Sequence, residues 1–253
     1  MNVGMRRVLA RLERPGPPAY AQIEDRVAEA VARGDLTPGE RLPPERELAE
    51  RLGVSRMTLR QALDSLERRG VVERTVGRHG GTFVAEPKIE RDLTSFSGLT
   101  HQLRRQGRHA GARVLSAAEV LATPPAAEAL GVGPDETVFE IVRVRLSDDL
   151  PLALERSVFP TARFPGLLDH ALEGSLYELI ESRYGAHPQR AVERLEPVLA
   201  ERGVAEALGV KPGSPLILVE RTAYEADDTP LEWARDLFRG DRTRLVVEAR
   251  LTR

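Results

Sequence analysis

The sequence predicts an α+β chain in two parts, a helical front ending in a β-hairpin and a back half formed by one antiparallel sheet with helices on one face. Three observations predict it. Apolar residues recur at helical spacing from Tyr20 to Arg68 and give way to a glycine-centred hairpin between Val71 and Val84. Glu128-Ala129-Leu130-Gly131-Val132-Gly133-Pro134 recurs as Glu206-Ala207-Leu208-Gly209-Val210-Lys211-Pro212, and each copy leads into a strand, a turn and a second strand, which implies one sheet built twice. The 253 residues, without a cysteine, suffice for two domains with real cores and exclude disulfides and Cys-ligated zinc.

Residues 1–18 form a basic, proline-containing leader (Arg6, Arg7, Arg11, Arg14; Pro15, Pro17, Pro18), expected to be mobile with a short helix at Arg6 to Leu12. Neither a signal-peptide core nor a membrane-length apolar run occurs, so a cytoplasmic chain with no membrane partner is expected. Residues 19–86 are the first predicted domain. Ile23, Val27, Ala30 and Val31 make the inward stripe of a helix at Tyr20 to Arg33, which Gly34 to Gly39 breaks. Pro44 suits the first position of a second helix carrying Leu48, Ala49 and Leu52, and Gly53 ends it. Ser55 caps a third, whose Leu59, Ala62, Leu63 and Leu66 fall at i, i+3, i+4 and i+7.

Two short helices about a tight turn are a helix-turn-helix. The exposed face of the later helix carries Arg56, Met57, Arg60 and Gln61. An Arg fork matches the O6 and N7 acceptors of guanine, and Thr58 suits a phosphate or a thymine methyl. The alternative is that Arg56 and Arg60 are ordinary solvated charges. Val71 to Val76 and Thr82 to Val84 read as strands around Gly77-Arg78-His79-Gly80-Gly81. At the tip of such a wing Arg78 and His79 reach the minor groove or a phosphate, where Gly80 lets the backbone come close. The predicted double-stranded DNA contacts are thus Arg46, Ser55, Arg56, Met57, Thr58, Arg60, Arg78, His79 and Gly80. Charge agrees weakly, with 15 basic against 13 acidic residues in Met1 to Glu86 and 22 against 26 in the remainder.

Leu42-Pro43-Pro44-Glu45-Arg46-Glu47-Leu48-Ala49, Val54-Ser55-Arg56-Met57-Thr58-Leu59-Arg60-Gln61-Ala62-Leu63 and Gly81-Thr82-Phe83-Val84 resemble the winged-helix domain of the GntR family of bacterial transcription regulators. The family closes its wing as Gly-Arg-Gly-Thr-Phe-Val, which His79 and an extra glycine lengthen here. The resemblance implies a DNA-binding regulator, a repressor by expectation. One short recognition helix reads few base pairs, so a homodimer on a palindromic operator is expected, paired through the second domain.

Residues 87–95 are read as a linker, polar from Glu86 to Asp92 and barred from regular structure by Pro87, and residues 96–253 as the second domain. Its expected elements are a helix within Leu93 to Gly107 preceded by the loop Thr94 to Ser97, a strand at Ala112 to Val120, the two repeated hairpins, and a helix capped by Ser175. The repeat also marks a candidate site where it is broken. Arg143 and Arg145 share one face of a strand, roughly 7 Å apart. Arg143 has a counterpart in Arg221, but Arg145 corresponds to Ala223, so the fold does not require it. Two guanidinium forks suit a dianion such as a phosphate monoester, and the Ser175-capped helix start offers further N–H groups. The alternative is that both arginines pair with Glu155 across the hairpin and that Ser175 is only a cap. Tyr177 and Trp233 are equally readable as core aromatics.

From about Phe96 onward the arrangement resembles the UTRA effector domain of the HutC subfamily, whose fold is similar to that of chorismate lyase. The resemblance implies that Arg143, Arg145, Ser175 and Tyr177 hold a phosphate and that Glu155 and Glu232 bind a sugar. It places a tyrosine where this chain has Phe238. A small anionic effector is therefore expected, a hexosamine phosphate foremost, with a carboxylate metabolite or a lyase-type enzyme fused to a DNA-binding module as alternatives. No nucleophile–base pair, metal-ligand cluster or phosphate-loop motif is legible, so no enzyme activity, metal or cofactor is expected.

Overall fold

The structure is a computed structural model that describes residues 3–10, 12, 16–75, 80–86, 88–94, 97–133 and 135–249. The chain divides into two compact units, Met1–Lys88 and Ile89–Arg253. In the first, α1 (Val3–Val8), α2 (Ala19–Ala32), α3 (Glu45–Leu52) and α4 (Arg56–Arg68) precede the strands β1 (Val72–Thr75) and β2 (Gly81–Val84). Ile23, Val27, Leu48, Leu52, Leu59, Leu63 and Leu66 form the shared core, as the i, i+3, i+4 spacing predicts. Gly53 takes φ 68° after α3, a left-handed conformation that lets the chain turn sharply into α4. Pro44 stands one residue earlier than predicted, at the N-cap of α3.

The leader departs from expectation. Met5, Val8 and Leu9 are buried in the same core, because they fall at i, i+3 and i+4 and give α1 an apolar stripe of its own. The helix therefore lies at Val3–Val8 rather than at Arg6 to Leu12, and this part of the leader is packed.

The second unit contains β3 (Ile89–Asp92), α5 (Leu99–Arg105), β4 (Ala110–Leu121), α6 (Pro124–Leu130), β5 (Thr137–Ser147) and β6 (Leu150–Pro160). A 3-10 turn at Leu167–Asp169 leads to α7 (Leu176–Tyr184), β7 (Arg190–Leu199), α8 (Arg202–Leu208), β8 (Pro215–Tyr224), β9 (Pro230–Arg239) and β10 (Thr243–Val246). Six strands make one sheet in the order β4-β5-β6-β9-β8-β7, and every neighbouring pair is antiparallel. The repeat is longer than its sequence suggests, since β4-α6-β5-β6 and β7-α8-β8-β9 are equivalent runs that meet at β6 and β9. There Glu155 stands opposite Asp236.

Two expectations are corrected. The sheet is covered on both faces rather than one. Leu130 of α6 packs with Val138, Val158 and Trp233 and Leu208 of α8 with Val144 and Leu216, whereas Ile180 of α7 packs with Phe139 and Ile141 and Leu103 of α5 with Ala153 and Phe238. Adjacent strand residues point to opposite faces, so α5 and α7 lie across the sheet from α6 and α8. The segment read as a polar linker contains a strand, β3, which pairs in parallel with β10. Ile89 and Arg91 are buried while Glu90 is exposed, a period-two pattern too short to be read alone. Among the described residues no helix is long and apolar enough to cross a membrane.

Candidate functional site

In the first unit the predicted DNA-facing residues cluster around the start of α4. Ser55 caps this helix by accepting a hydrogen bond from the Thr58 backbone N–H at 3.0 Å, and its hydroxyl lies 2.8 Å from that of Thr58. Met57 is 74% exposed, an apolar side chain held in water where burial elsewhere would be favourable. Arg56 is exposed with no partner among the described residues, while Arg60 donates through Nε to Glu45 at 2.9 Å. Arg46 lies out in solvent, 3.8 Å from Glu50. Arg78 and His79 lie outside the described residues. The Gly80 carbonyl accepts from Arg41 Nη2 at 2.6 Å, and a Cβ on Gly81 would come within 2.8 Å of Arg41 Nε, so glycine there lets Arg41 grip the base of the wing. Arg74 of β1 ties the other strand to α4, donating to Glu67 at 2.9 Å and to Asp64.

In the second unit the strand alternation and the helices over that face enclose a polar cavity. Its walls include Arg91, Arg143, Arg145, Glu155, Ser175, Tyr177, Glu193, Arg221, Glu232 and Asp236. The structure thus brings together Arg143, Arg145, Glu155, Ser175, Tyr177 and Glu232. Phe238 is not on the wall: it is buried beneath it, with the Arg91 guanidinium 4.7 Å from the centre of its ring.

The cavity is closed on itself by its own charges. Glu155, opposite Arg143 in the hairpin register, accepts from Arg143 Nε at 2.7 Å and from Arg143 Nη2, and its other oxygen accepts from Arg145 Nη1 at 2.8 Å. The cross-strand pairing named above as the alternative is therefore present. Ser175 Oγ accepts from the Glu178 N–H at 3.2 Å and so serves as the cap of α7. Arg221 donates to Glu232 at 3.1 Å and to Asp236 at 3.0 Å, Arg91 to Glu193 at 2.6 Å, and the Tyr177 hydroxyl to Glu232 at 2.6 Å. About 30 Å3 of free volume remains, room for about two waters. A sugar phosphate enters only if the walls part.

The two arginines are not equivalent, in keeping with the break in the repeat at Arg145. Arg143 also donates to the carbonyls of Leu172 at 2.5 Å and Gly174 at 2.8 Å, pinning the segment that leads into α7. Among the described residues Arg145 donates only to Glu155 and, through Nη2, to Thr100 Oγ1 at 2.8 Å. Its Nε–H is buried without a hydrogen-bond partner among the described residues. A guanidinium offers five N–H groups, so Arg145 keeps its Nε–H and one hydrogen on each terminal nitrogen for another acceptor.

Titration follows the same geometry. Burial pushes the Glu155 carboxyl up, but the Arg143 and Arg145 guanidinium groups together outweigh it and hold Glu155 at about 2. Burial dominates at Asp236, against Arg221 and with help from Glu155, and raises it to about 6. Burial likewise lifts the Tyr177 phenol well above its ordinary value, with Glu232 adding to the effect against Arg221, so Tyr177 remains a hydrogen-bond donor.

Sequence reasoning missed Arg91, Thr100, Glu193 and Asp236 on this wall. Asp236 had a signal: it lies four residues beyond Glu232, and a strand returns such residues to one face. Arg91 and Glu193 had none, since β3 reads as linker and the two meet only across a long stretch of chain.

The model of bacterial regulatory proteins, gntR family, matches residues 19–84, and the UTRA domain model matches residues 105–244. The chain is 38% identical over 230 residues to the HTH-type transcriptional repressor NagR of Bacillus subtilis, covering 90% of this chain and 93% of that protein. It is 30% identical over 224 residues to the mannosyl-D-glycerate transport/metabolism system repressor MngR of Escherichia coli, covering 88% and 92%. The crystal structure of PhnF from Mycobacterium smegmatis superposes with a TM-score of 0.65 at 33% identity, over 92% of this chain and all (100%) of that one.

Proposed function

Because this chain belongs to the GntR family of bacterial regulatory proteins, with a UTRA domain following its helix-turn-helix domain, we propose that it is a repressor released from its operator by a phosphorylated sugar, a hexosamine phosphate foremost. The observation that carries the effector half is Arg145, a buried guanidinium with uncommitted donors on the wall of a polar cavity. Such donors are costly to leave unmet and match phosphate oxygens in pairs. The Arg143–Arg145–Glu155 triad then works as a latch in which phosphate competes with Glu155 for the two forks. The relative named for a mannosyl-D-glycerate system supports an effector derived from a sugar.

Thermal denaturation with hexosamine phosphates, the same sugars without phosphate, and small carboxylates tests this reading. A ligand that binds only the native state raises its melting point by mass action. A shift with the phosphorylated sugars alone supports it, whereas a shift with carboxylates alone replaces the phosphate by a carboxylate metabolite. Turnover of any of these compounds would favour the enzyme alternative.

For the DNA half, Arg56, Met57 and Arg60 read bases while Arg46 acts through phosphate. Replacing Arg56 with Ala is expected to cost about 1–3 kcal/mol of operator affinity and to relax base preference, and Arg46→Ala to weaken all sequences alike. Arg60→Ala acts in the same way as Arg56→Ala, with the added effect of freeing Glu45 to repel phosphate. Binding to operator and random duplexes at one salt concentration checks this; undiminished discrimination by both helix variants would remove the base-reading role. A homodimer on a palindrome is part of the proposal. The long edge strands β4 and β7 expose Leu115, Leu121, Leu195 and Leu199, apolar surface that supports association through the second unit.

A further inference from the structure

The cavity wall carries four guanidinium groups, on Arg91, Arg143, Arg145 and Arg221, and four carboxyl groups, on Glu155, Glu193, Glu232 and Asp236. A phosphate dianion therefore adds two negative charges to a site already balanced, and it does so by displacing Glu155 from the arginines that neutralise it. Glu155 stands directly opposite Asp236 across β6 and β9. The acid most exposed to that displaced charge is thus Asp236, which is 3% exposed and has one oxygen, Oδ1, without a hydrogen-bond partner among the described residues.

Asp236 is also a place where the repeat is broken. Pro151 and Pro230 begin matching strands, so Ser157 occupies in the first copy the position that Asp236 holds in the second. The scaffold does not require an acid there.

Building on the phosphate reading above, we propose that Asp236 is a further effector-binding residue, and that the cavity takes its phosphorylated effector together with one proton. The proton comes from solvent and is carried by Asp236, whose neutral carboxyl group then donates its O–H to an oxygen of the effector. No other bond forms or breaks, and the uptake offsets one of the two charges that the phosphate brings.

The surroundings of Asp236 suit this role. From β8 it faces Arg221 and from β9 its own neighbour Glu232. Glu155 faces it from β6, Arg143 and Arg145 line the same cavity from β5, Arg91 from β3, Glu193 from β7, and Tyr177 from α7. Burial already raises its carboxyl to about 6. A dianion close by raises that further, so at neutral pH and above Asp236 passes from mostly ionised to mostly protonated when the effector binds.

The test is calorimetric titration of the full chain with N-acetylglucosamine 6-phosphate, whose only titrating group is the phosphate, in two buffers of different ionisation enthalpy. Above about pH 7 the phosphate stays dianionic, so any proton taken up belongs to the protein. The wild type is expected to take up close to one proton per site, with affinity falling about tenfold per pH unit above neutrality. The D236N variant is expected to bind with no uptake and a flat pH profile. If D236N fails to fold, D236S, which places at 236 the residue that the first copy carries as Ser157, is expected to show the same loss of uptake. Saturable binding by the wild type without proton uptake overturns the proposal while leaving the phosphate reading intact, and so does unchanged uptake in D236N or D236S. No binding of this probe or of inorganic phosphate overturns the phosphate reading and this one with it.

Discussion

Glu155→Ala is expected to destabilise the second unit by roughly 3–5 kcal/mol, the range typical of breaking a buried ion pair by removing one partner. Arg143 and Arg145 are 1% and 4% exposed, and Glu155 is the carboxylate to which both donate, so its loss strands two guanidinium charges away from water. Trp233, the single tryptophan, sits in the second unit, and its fluorescence during urea unfolding reports this unit. The pH dependence gives an independent check. Glu155 titrates lower in the fold, at about 2, than in an unfolded chain, so its contribution is present above about pH 4.3 and is lost as pH falls towards 2. Asp236 has the opposite sign: its raised value costs stability as pH rises from about 4 through 6. The wild type therefore loses stability on acidification below about pH 4, and Glu155→Ala loses less over that interval. A urea midpoint unchanged by the substitution would mean that the triad does not hold this unit together.

Arg145→Ala is expected to leave operator affinity near wild type without effector and to remove most of the response to it. Each charge-assisted hydrogen bond to the phosphate is worth roughly 1.5–3 kcal/mol, so without it release of DNA shifts to effector concentrations about ten- to hundredfold higher. The fold tolerates the change because Ala223 holds the equivalent place and because Glu155 keeps both of its bonds to Arg143. Arg143→Ala is expected to behave differently. It frees the Leu172 and Gly174 carbonyls and one of the two oxygens of Glu155, so it lowers stability before sensing can be read. Fluorescence anisotropy of a labelled operator, with and without saturating hexosamine phosphate at fixed salt, separates the two variants. A folded Arg145→Ala protein that releases DNA at the wild-type ligand concentration would move the effector site elsewhere.

The residues legible from the sequence are those whose partners lie nearby along the chain. Leu59, Ala62, Leu63 and Leu66 announce α4 because a helix repeats within one turn, and Ser55 announces its start because a cap acts over three residues. Arg145 stands out on comparing two copies of one motif, which replaces missing spatial information with symmetry. Arg91 belongs to a four-residue strand whose partner begins at Thr243, beyond the reach of any local pattern. Glu193 lies on the edge strand β7 and meets Arg91 of β3, a partner far away along the chain that no local pattern announces. The pairing of Arg143 and Arg145 with Glu155 was legible as one of two alternatives. Whether Arg143 faces a ligand or Glu155 depends on register, and the hairpin register places Arg143 opposite Glu155.

The parallel pair of β3 and β10 has a consequence for the order in which this protein becomes competent during synthesis. Domains fold as units from the N-terminus as the chain emerges, at about 5–20 residues per second. The first unit is complete by Lys88, but β3, which carries Arg91 into the cavity wall, waits for a strand that begins at Thr243. The interval is roughly ten to thirty seconds of translation at those rates. Throughout it the nascent chain holds a finished recognition helix and an unfinished sensor. A product truncated before Thr243 would keep the first of these and lack the second, and in a cell that also made the intact regulator it would occupy operators without answering to the effector.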